Sequence, residues 1–338
     1  MPRALCVRLP RPGPRFALAV SLTLAAAACG GGGSRGPGPV TSDPGYYPPE
    51  APPPAPLVAG AVLTFLSGET GEAVAGAAVG VGGRPYTSDG EGRITLTEDV
   101  ETGALLEVTA PGFLTRQTLL RAPDERRFTL WPGRSPTGLD EAYTAVLVYT
   151  DSALADAPAA AAPLSRLAPA TRAVTVAPSA PLRSDPEALR AHEEAVSVLN
   201  DAAAGSVVYS LGSAGPGVFF ETRVDGADKG CVGRIRAFTR LQERGREIVG
   251  GEVVFCSPDV ARSVTVLHEL GHTFGLQHSP DPAEVMYTFF VAGRGASFSP
   301  RELLAMSLMT QRRAGNRFPD RDLESAAAAT RTRTIACP

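Results

Sequence analysis

The first pattern in the chain is a series of short alternations of apolar and polar residues between residues 57 and 132. Successive side chains of a strand point to opposite faces, so this period is typical of strands that bury one face. Glycine-rich turns separate the alternating runs, which lie at 61–66, 77–81, 93–97, 105–109 and 128–131. Several short strands within about 75 residues predict a small all-β sandwich.

Residues 140–318 mix strand and helix periodicities, which predicts an α+β domain after a short linker. Ser184 and Glu187 have the spacing of a capping box that opens one helix, and Ser299 and Glu302 repeat it before another. Strands are predicted at about 174–177, 207–210, 218–224, 234–239 and 248–255.

Two further stretches carry weaker signals. The apolar run at 143–149 predicts a strand, and the sequence does not decide to which domain that strand belongs. Residues 319–338 are polar and alanine-rich, which predicts a flexible tail.

The beginning of the chain predicts export. Four arginines precede an apolar run over residues 16–28, which is too short to span a bilayer, so residues 1–28 have the form of a signal peptide. Ala26-Ala27-Ala28-Cys29 resembles a bacterial lipobox, which implies that Cys29 is acylated and anchors the protein to the outer membrane or cell surface. Ordinary cleavage after Ala28, with secretion and a free Cys29 thiol, is the alternative.

Residues 29–56 are rich in glycine, proline and serine and offer almost nothing to bury. Such a segment cannot offset the entropy lost on ordering, so it predicts a solvated tether. A tether after a lipidated cysteine would hold a folded domain away from a membrane, and for this reason we favour the lipoprotein.

Charge and cysteine content restrict the partners and the compartment. The chain has 35 acidic and 32 basic residues, and removal of the signal would leave it more acidic. This balance gives no electrostatic reason to bind nucleic acid. We also expect the protein to be a monomer. The hairpin expected from strands 234–239 and 248–255 puts Cys231 opposite Cys256, which predicts a disulfide. Cys337 is left without an assignment.

Three of the four histidines fall within eleven residues. On a helix, His268 and His272 lie one turn apart on the same face, and Glu269 lies beside that face. Gly275 suits a sharp turn at the helix end, and this turn would return His278 to the same point. Three imidazoles can hold one zinc ion and leave one position for water, with Glu269 as general base.

The spacing resembles the metzincin signature H-E-x-x-H-x-x-G-x-x-H, which is followed by a methionine turn. Met286 lies eight residues after His278, and Ser279 follows that histidine directly, which resembles the matrixin branch. The resemblance implies a mixed twisted sheet, an active-site helix, a methionine turn with Met286 beneath the metal, and a closing C-terminal helix. Thr288 stands where other branches carry a tyrosine ligand, so we expect none here.

Other candidate sites are weaker. The turn at 87–92 and the segment Ala110-Pro111-Gly112-Phe113 resemble those of the carboxypeptidase regulatory-like, transthyretin-type sandwich, and no catalytic constellation is present in this region. Asp225 and Asp228 form a weak calcium candidate, and a turn that contains Asp89 is more simply explained as solvated. His192 has no second histidine cluster to join, so we interpret it as a surface residue or a support for another side chain and expect no second zinc.

These observations predict a zinc-dependent endopeptidase that binds one zinc ion and cleaves protein or peptide substrates. The alternative is a surface-tethered binding or adhesion protein whose metal site is not catalytic. Retention of Glu269 favours the peptidase, because a binding protein has no use for the base.

Overall fold

The structure is a computed structural model that describes residues 55–135, 137–149, 162–323 and 329–338. The predicted signal peptide, Cys29 and nearly all of the predicted tether lie outside the described residues. Within the described ranges, no helix has the length and apolar character needed to cross a lipid bilayer.

The first region contains two sheets that share one apolar core. Its strands are β1 (Val62–Ser67), β2 (Ala78–Val81), β3 (Arg84–Thr87), β4 (Arg93–Thr95), β5 (Leu105–Thr109), β6 (Arg116–Leu119) and β7 (Arg127–Leu130). One sheet has the order β4-β1-β7, and β3-β2-β5-β6 run side by side in the other. Alternate residues of β1, such as Leu63 and Phe65, are buried in the core between them, as the period-two pattern predicts. The likeness to the carboxypeptidase regulatory-like module stays a prediction.

The second region is a mixed α/β structure. Its elements are α1 (Glu141–Tyr149), β8 (Arg166–Leu167), β9 (Ala173–Pro178), α2 (Ala180–Ser184), α3 (Pro186–Ala203), β10 (Val208–Leu211), β11 (Val218–Val224), β12 (Ala237–Arg244), β13 (Glu247–Phe255), α4 (Ser263–Phe274), α5 (Pro300–Thr310), β14 (Arg321–Asp322) and β15 (Thr330–Cys337). The arrangement is compatible with a metzincin-type domain.

The main sheet has the order β10-β9-β11-β13-β12-β15, and β8 pairs with β13. Neighbouring strands from β10 to β13 are parallel, whereas β12 is antiparallel to β13 and β15 is antiparallel to β12. Helices α3 and α4 pack against each other, and α4 also contacts β12 and β13. Leu267 and Leu270 of α4 are fully buried in this core, so the packing fixes how α4 is rotated.

The two helices with predicted caps begin near the expected positions. Ser299 and Glu302 form the reciprocal capping box at the start of α5. At α3 the cap is Asp185 instead of Ser184, because the Asp185 carboxylate accepts hydrogen bonds from the first free N–H groups of the helix.

Residues 143–149 form a helix, so the predicted strand is wrong. Helix α1 begins after Asp140, whose side chain accepts a hydrogen bond from the backbone N–H of Tyr143 at 2.8 Å. Most of its side chains are buried, so no polar face marks the helical period in the sequence. A short apolar run of this kind cannot be distinguished from a strand by its periodicity.

The tail predicted at 319–338 is also wrong for its described part. Strand β14 pairs with β6 of the first region, and β15 pairs with β12 along its whole length. Ile335 and Cys337 are buried, whereas the threonines of β15 are exposed. The sequence does not indicate this strand, because an edge strand with one polar face and few apolar residues has the composition of a solvated segment.

Arg312 joins the two regions within the compact unit of residues 53–338. Its guanidinium binds both carboxylate oxygens of Asp320 at 2.7 Å and donates to the carbonyl of Thr129 at 2.9 Å. The same group lies 4.9 Å from the ring of Trp131. The limits predicted for the two domains stay predictions. Trp131, which lies within the predicted first domain, packs in the core of the second region.

Replacement of this arginine tests the junction. Because Arg312 and Asp320 have no solvent-exposed side-chain surface, Arg312→Met would leave a buried carboxylate without its cation and should lower the free energy of unfolding by about 3–5 kcal/mol. The control is Arg190→Met, which breaks an exposed ion pair with Glu194 and should change the free energy of unfolding by about 0.5 kcal/mol or less. Urea unfolding of both variants measures the difference, and equal effects would contradict a structural role for the buried pair.

Candidate metal centre

The first two predicted ligands lie on one face of α4. His268 and His272 are one turn apart, with ring centroids separated by 4.8 Å. The helix ends at Gly275, whose φ of 122° is unfavourable for other residues. A Cβ atom at this position would lie 2.5 Å from the carbonyl oxygen of Ser165. Glycine is therefore required twice, for its backbone angle and for the close approach of another chain segment.

The turn after Gly275 brings His278 back to the same point. Its ring centroid lies 5.3 Å from that of His268 and 4.8 Å from that of His272. The Nε2 atoms of His268 and His272 are 3.1 Å apart. The predicted set of three histidines is thus brought together by α4 and one turn.

Hydrogen bonds on the other ring nitrogens orient two of the imidazoles. Nδ1 of His268 lies 2.7 Å from the carbonyl oxygen of Val285, and Nδ1 of His272 lies 2.8 Å from that of Leu276. A carbonyl only accepts, so each Nδ1 carries the proton and each Nε2 directs a lone pair inward. Burial lowers the pKa of His268 to about 4 and that of His278 to about 3, and it lowers the pKa of His272 well below its ordinary value. The imidazoles are therefore neutral at pH 7, which is the form that binds metal.

A fourth donor, Cys337, completes the cluster. Its Sγ lies 3.5 Å from Nε2 of His272 and 3.5 Å from Nε2 of His278, and the four ligand atoms lie within 4.8 Å of one another. Around a tetrahedral zinc ion, two histidine nitrogens would be about 3.3–3.4 Å apart and a nitrogen and a sulfur about 3.5–3.6 Å apart. The two distances from Cys337 match this spacing, and the 3.1 Å between Nε2 of His268 and Nε2 of His272 is close to it. Cys337 had no assignment from the sequence; the only signal was that it is left over once Cys231 and Cys256 are paired.

Glu269 lies beside the histidines and is fully buried. Its Oε2 accepts a hydrogen bond from Thr239 at 2.6 Å, whereas Oε1 has no hydrogen-bond partner among the described residues. Burial raises the pKa of this carboxyl to about 7. Glu269 is not one of the clustered donors, so it can act on a water molecule or a substrate instead of the ion.

Met286 contacts α4, and its place beneath the metal stays a prediction. A Cβ atom on Gly271 would lie 2.5 Å from the Met286 sulfur, so the two residues are in close contact. The backbone N–H of Met286 donates to Glu302 at 2.8 Å, and its carbonyl accepts from Ser279 at 2.6 Å. Glu302, which forms the capping box of α5 with Ser299, therefore also fixes the turn that carries Met286.

A cleft opens next to the cluster. Its lining includes His268, Glu269 and Cys337 together with Tyr287 and Phe290 from the segment after the methionine turn. Phe290 is 49% exposed, so this cleft has an apolar wall in contact with solvent. Thr288 is buried and belongs to the same lining, and it is not among the clustered donors.

The family comparison covers part of this site. A family model described as matrixin matches residues 248–302. This segment is similar to the matrixins. It contains all but the first residue of β13, together with α4, the three histidines and the methionine turn, and it ends before Cys337. Together with the donor cluster, the match supports a matrixin-like, zinc-dependent metallopeptidase. No curated protein matches the chain significantly.

The other predicted sites have different surroundings. Cys231 and Cys256 are joined by a disulfide with a Cα–Cα distance of 5.5 Å. His192 is fully buried instead of lying on the surface, with its nitrogens bonded to the carbonyl of Ala188 and the hydroxyl of Thr222. It is core structure because its polar atoms are satisfied within the sheet and helix that surround it.

The calcium candidates are engaged in ion pairs. Asp228 receives hydrogen bonds from Arg223 and Arg240 at 2.5–3.0 Å, and Asp225 is paired with Arg223. These cations hold the pKa of the Asp228 carboxyl well below its usual range. Carboxylates so close to guanidinium groups are poorly suited to a cation, so nothing at this cluster supports calcium.

Alanine substitution at the turn glycine tests how the third histidine is placed. Gly275→Ala should lower the free energy of unfolding by about 2–5 kcal/mol, from backbone strain plus the clash with Ser165. Gly103→Ala is the matched control, because its φ is 94° and nothing lies within 4 Å of the added Cβ; it should cost about 1–2 kcal/mol.

Metal affinity separates the two variants further. A shift of the turn would move His278, so zinc titration should show weaker binding in Gly275→Ala and unchanged binding in Gly103→Ala. Equal affinity in both would mean that the turn does not position the third imidazole.

Proposed function

We propose that the protein is a zinc-dependent endopeptidase in which His268, His272 and His278 hold the ion and Glu269 is the general base. The observation that carries the proposal is the convergence of three neutral imidazoles beside the fully buried carboxylate of Glu269. The matrixin match over the same segment supports it.

The donor set favours zinc among the common metal ions. Neutral imidazoles and a thiol are ligands that zinc accepts in tetrahedral geometry, whereas calcium and magnesium require oxygen donors. Bound zinc supplies a Lewis acid for the scissile carbonyl and makes a water molecule more acidic. We expect one ion per chain, because the remaining histidine, His192, is bonded within the core.

The protein's own residues perform the proton transfers. Glu269 removes a proton from the attacking water and delivers it to the leaving amine, which requires a carboxylate that is close to the ion but does not bind it. Thr239 holds this carboxylate through Oε2, and Oε1 has no hydrogen-bond partner among the described residues, so it is available to accept the proton. Hydrogen bonds from Nδ1 to Val285 and Leu276 keep two ligand rings in position without rearrangement.

A non-catalytic role is the second candidate, and one observation favours it. With Cys337 included, the cluster has four protein donors, and a closed four-ligand set is typical of structural zinc sites. A surface-tethered binding protein could use such a site for stability alone. Glu269 distinguishes the two functions, because a structural site does not require it.

For the location of the protein, we propose a lipid anchor on Cys29. If this cysteine is acylated, wild-type protein should partition with membranes, while Cys29→Ser should either become soluble or keep its signal peptide. Fractionation followed by mass spectrometry of the N-terminal peptide measures both properties. Wild-type protein found entirely in the soluble fraction would support secretion instead.

The role of Glu269 is tested by Glu269→Gln, which keeps the size of the side chain and removes the base. Peptide cleavage should fall by about 10²–10⁴-fold, with zinc content and melting temperature unchanged. His278→Ala is the comparison variant, since loss of a ligand should reduce both zinc content and cleavage. Cleavage of a peptide library with and without a chelator, together with elemental analysis, measures these effects. Undiminished cleavage by Glu269→Gln would exclude the proposed mechanism.

A further inference from the structure

The last strand of the sheet covers the strand nearest to the metal centre. β15 pairs antiparallel with β12 from Arg244↔Thr330 to Ala237↔Cys337. An uncovered edge strand presents free N–H and C=O groups that an extended polypeptide can pair with. β15 therefore occupies the edge that β12 would otherwise offer to another chain.

Side chains outside the metal centre also hold β15 in place. Glu243 of β12 is fully buried and accepts hydrogen bonds from Arg331 at 2.6 Å and Arg333 at 2.9 Å. Arg333 also donates to Gln277, which lies between the second and third histidines in sequence. These contacts fix the strand at two points along its length, so the register of its remaining residues is determined.

That register delivers Cys337 to the metal centre. The pairing of Cys337 with Ala237 places its buried thiol 3.5 Å from two imidazole nitrogens, in contact with the reactive end of the cleft. Cys337 and Pro338 also line the cleft together with Glu269. The end of β15 thus fills space that a substrate would need.

We propose that Cys337 is the fourth metal ligand and that β15 is an inhibitory strand that keeps the site closed. The inference rests on the proposed function. The thiol proton passes to solvent when the sulfur–metal bond forms, and three nitrogens and one sulfur then fill a tetrahedral set. No ligand position is left for water. Activation requires the sulfur to leave and take up a proton from solvent, and the end of β15 to separate from β12.

Two features support a removable strand over a permanent one. The strand buries only two apolar side chains, Ile335 and Cys337, so little apolar burial opposes its release. Arg331 and Arg333 are partly exposed, so their guanidinium groups can replace the hydrogen bonds to Glu243 with hydrogen bonds to water as the strand leaves. Release would also uncover the edge of β12 beside Glu269, where an extended peptide could pair.

Cobalt substitution tests the ligand directly. The full chain and its Cys337→Ser variant are loaded with Co²⁺, and their absorption spectra are compared. Wild-type protein should show a thiolate-to-cobalt charge-transfer band in the near ultraviolet that the variant lacks, with visible cobalt bands in both. Ala336→Ser is the control, because it adds a hydroxyl to the exposed neighbour on the same strand and should keep the band.

Peptide hydrolysis tests the inhibition. If the open form is populated at about 1–10%, Cys337→Ser should cleave a peptide library about 10- to 100-fold faster than wild type. Glu243→Gln weakens the strand without removing the thiol, so it should also raise hydrolysis while retaining the charge-transfer band. Ala336→Ser should cleave at the wild-type rate.

The outcomes separate the two proposals. Visible cobalt bands without the charge-transfer band in wild type would overturn Cys337 as a ligand and leave the peptidase intact. The band without any gain in hydrolysis by Cys337→Ser or Glu243→Gln would overturn the inhibitory role. If neither wild type nor Cys337→Ser binds cobalt, the proposed metallopeptidase fails as well.

Discussion

The structure depends on the convergence at one buried point of four side chains whose donor atoms could hold a metal ion. Burial disfavours the charged form of the three imidazoles, and the Nε2 lone pairs of His268 and His272 face each other at 3.1 Å, so the cluster carries unsatisfied electron pairs. A cation at the centre would satisfy all four donors at once. The other local features follow from this requirement: a helix supplies two ligands, a glycine turn supplies the third, and a strand from the opposite end of the chain supplies the fourth.

Buried carboxylates hold the segments around this point. Glu302 caps α5 and binds the backbone of Met286, so the closing helix and the methionine turn are one unit. Glu284 accepts hydrogen bonds from Tyr143, Ser299 and Arg301, which joins α1 and α5 to the same turn. Each carboxylate is buried with several donors, and this arrangement compensates for its loss of hydration. The rigidity of the site thus comes from polar contacts as much as from apolar packing.

The fourth ligand connects the two functions that the site can support. Three histidines with an open position suit hydrolysis, whereas four protein ligands suit a structural ion. A ligand on an edge strand can give both arrangements to the same molecule, because release of the strand removes one donor and leaves the other three in place. The distinction between a catalytic and a structural centre then depends on the equilibrium of one strand.

The sequence by itself determined the part of the site that is local along the chain. His268, His272, Gly275 and His278 lie within eleven residues, so helix geometry and one turn place them, and the hairpin placed the disulfide in the same way. Only the tertiary structure decided that residues 143–149 form a helix, because burial on most sides removes the periodic signal. It also decided the role of Cys337, which reaches histidines about sixty residues away through strand pairing. The register of β15 is set by its pairing with β12, and no pattern in residues 330–337 indicates which strand is the partner.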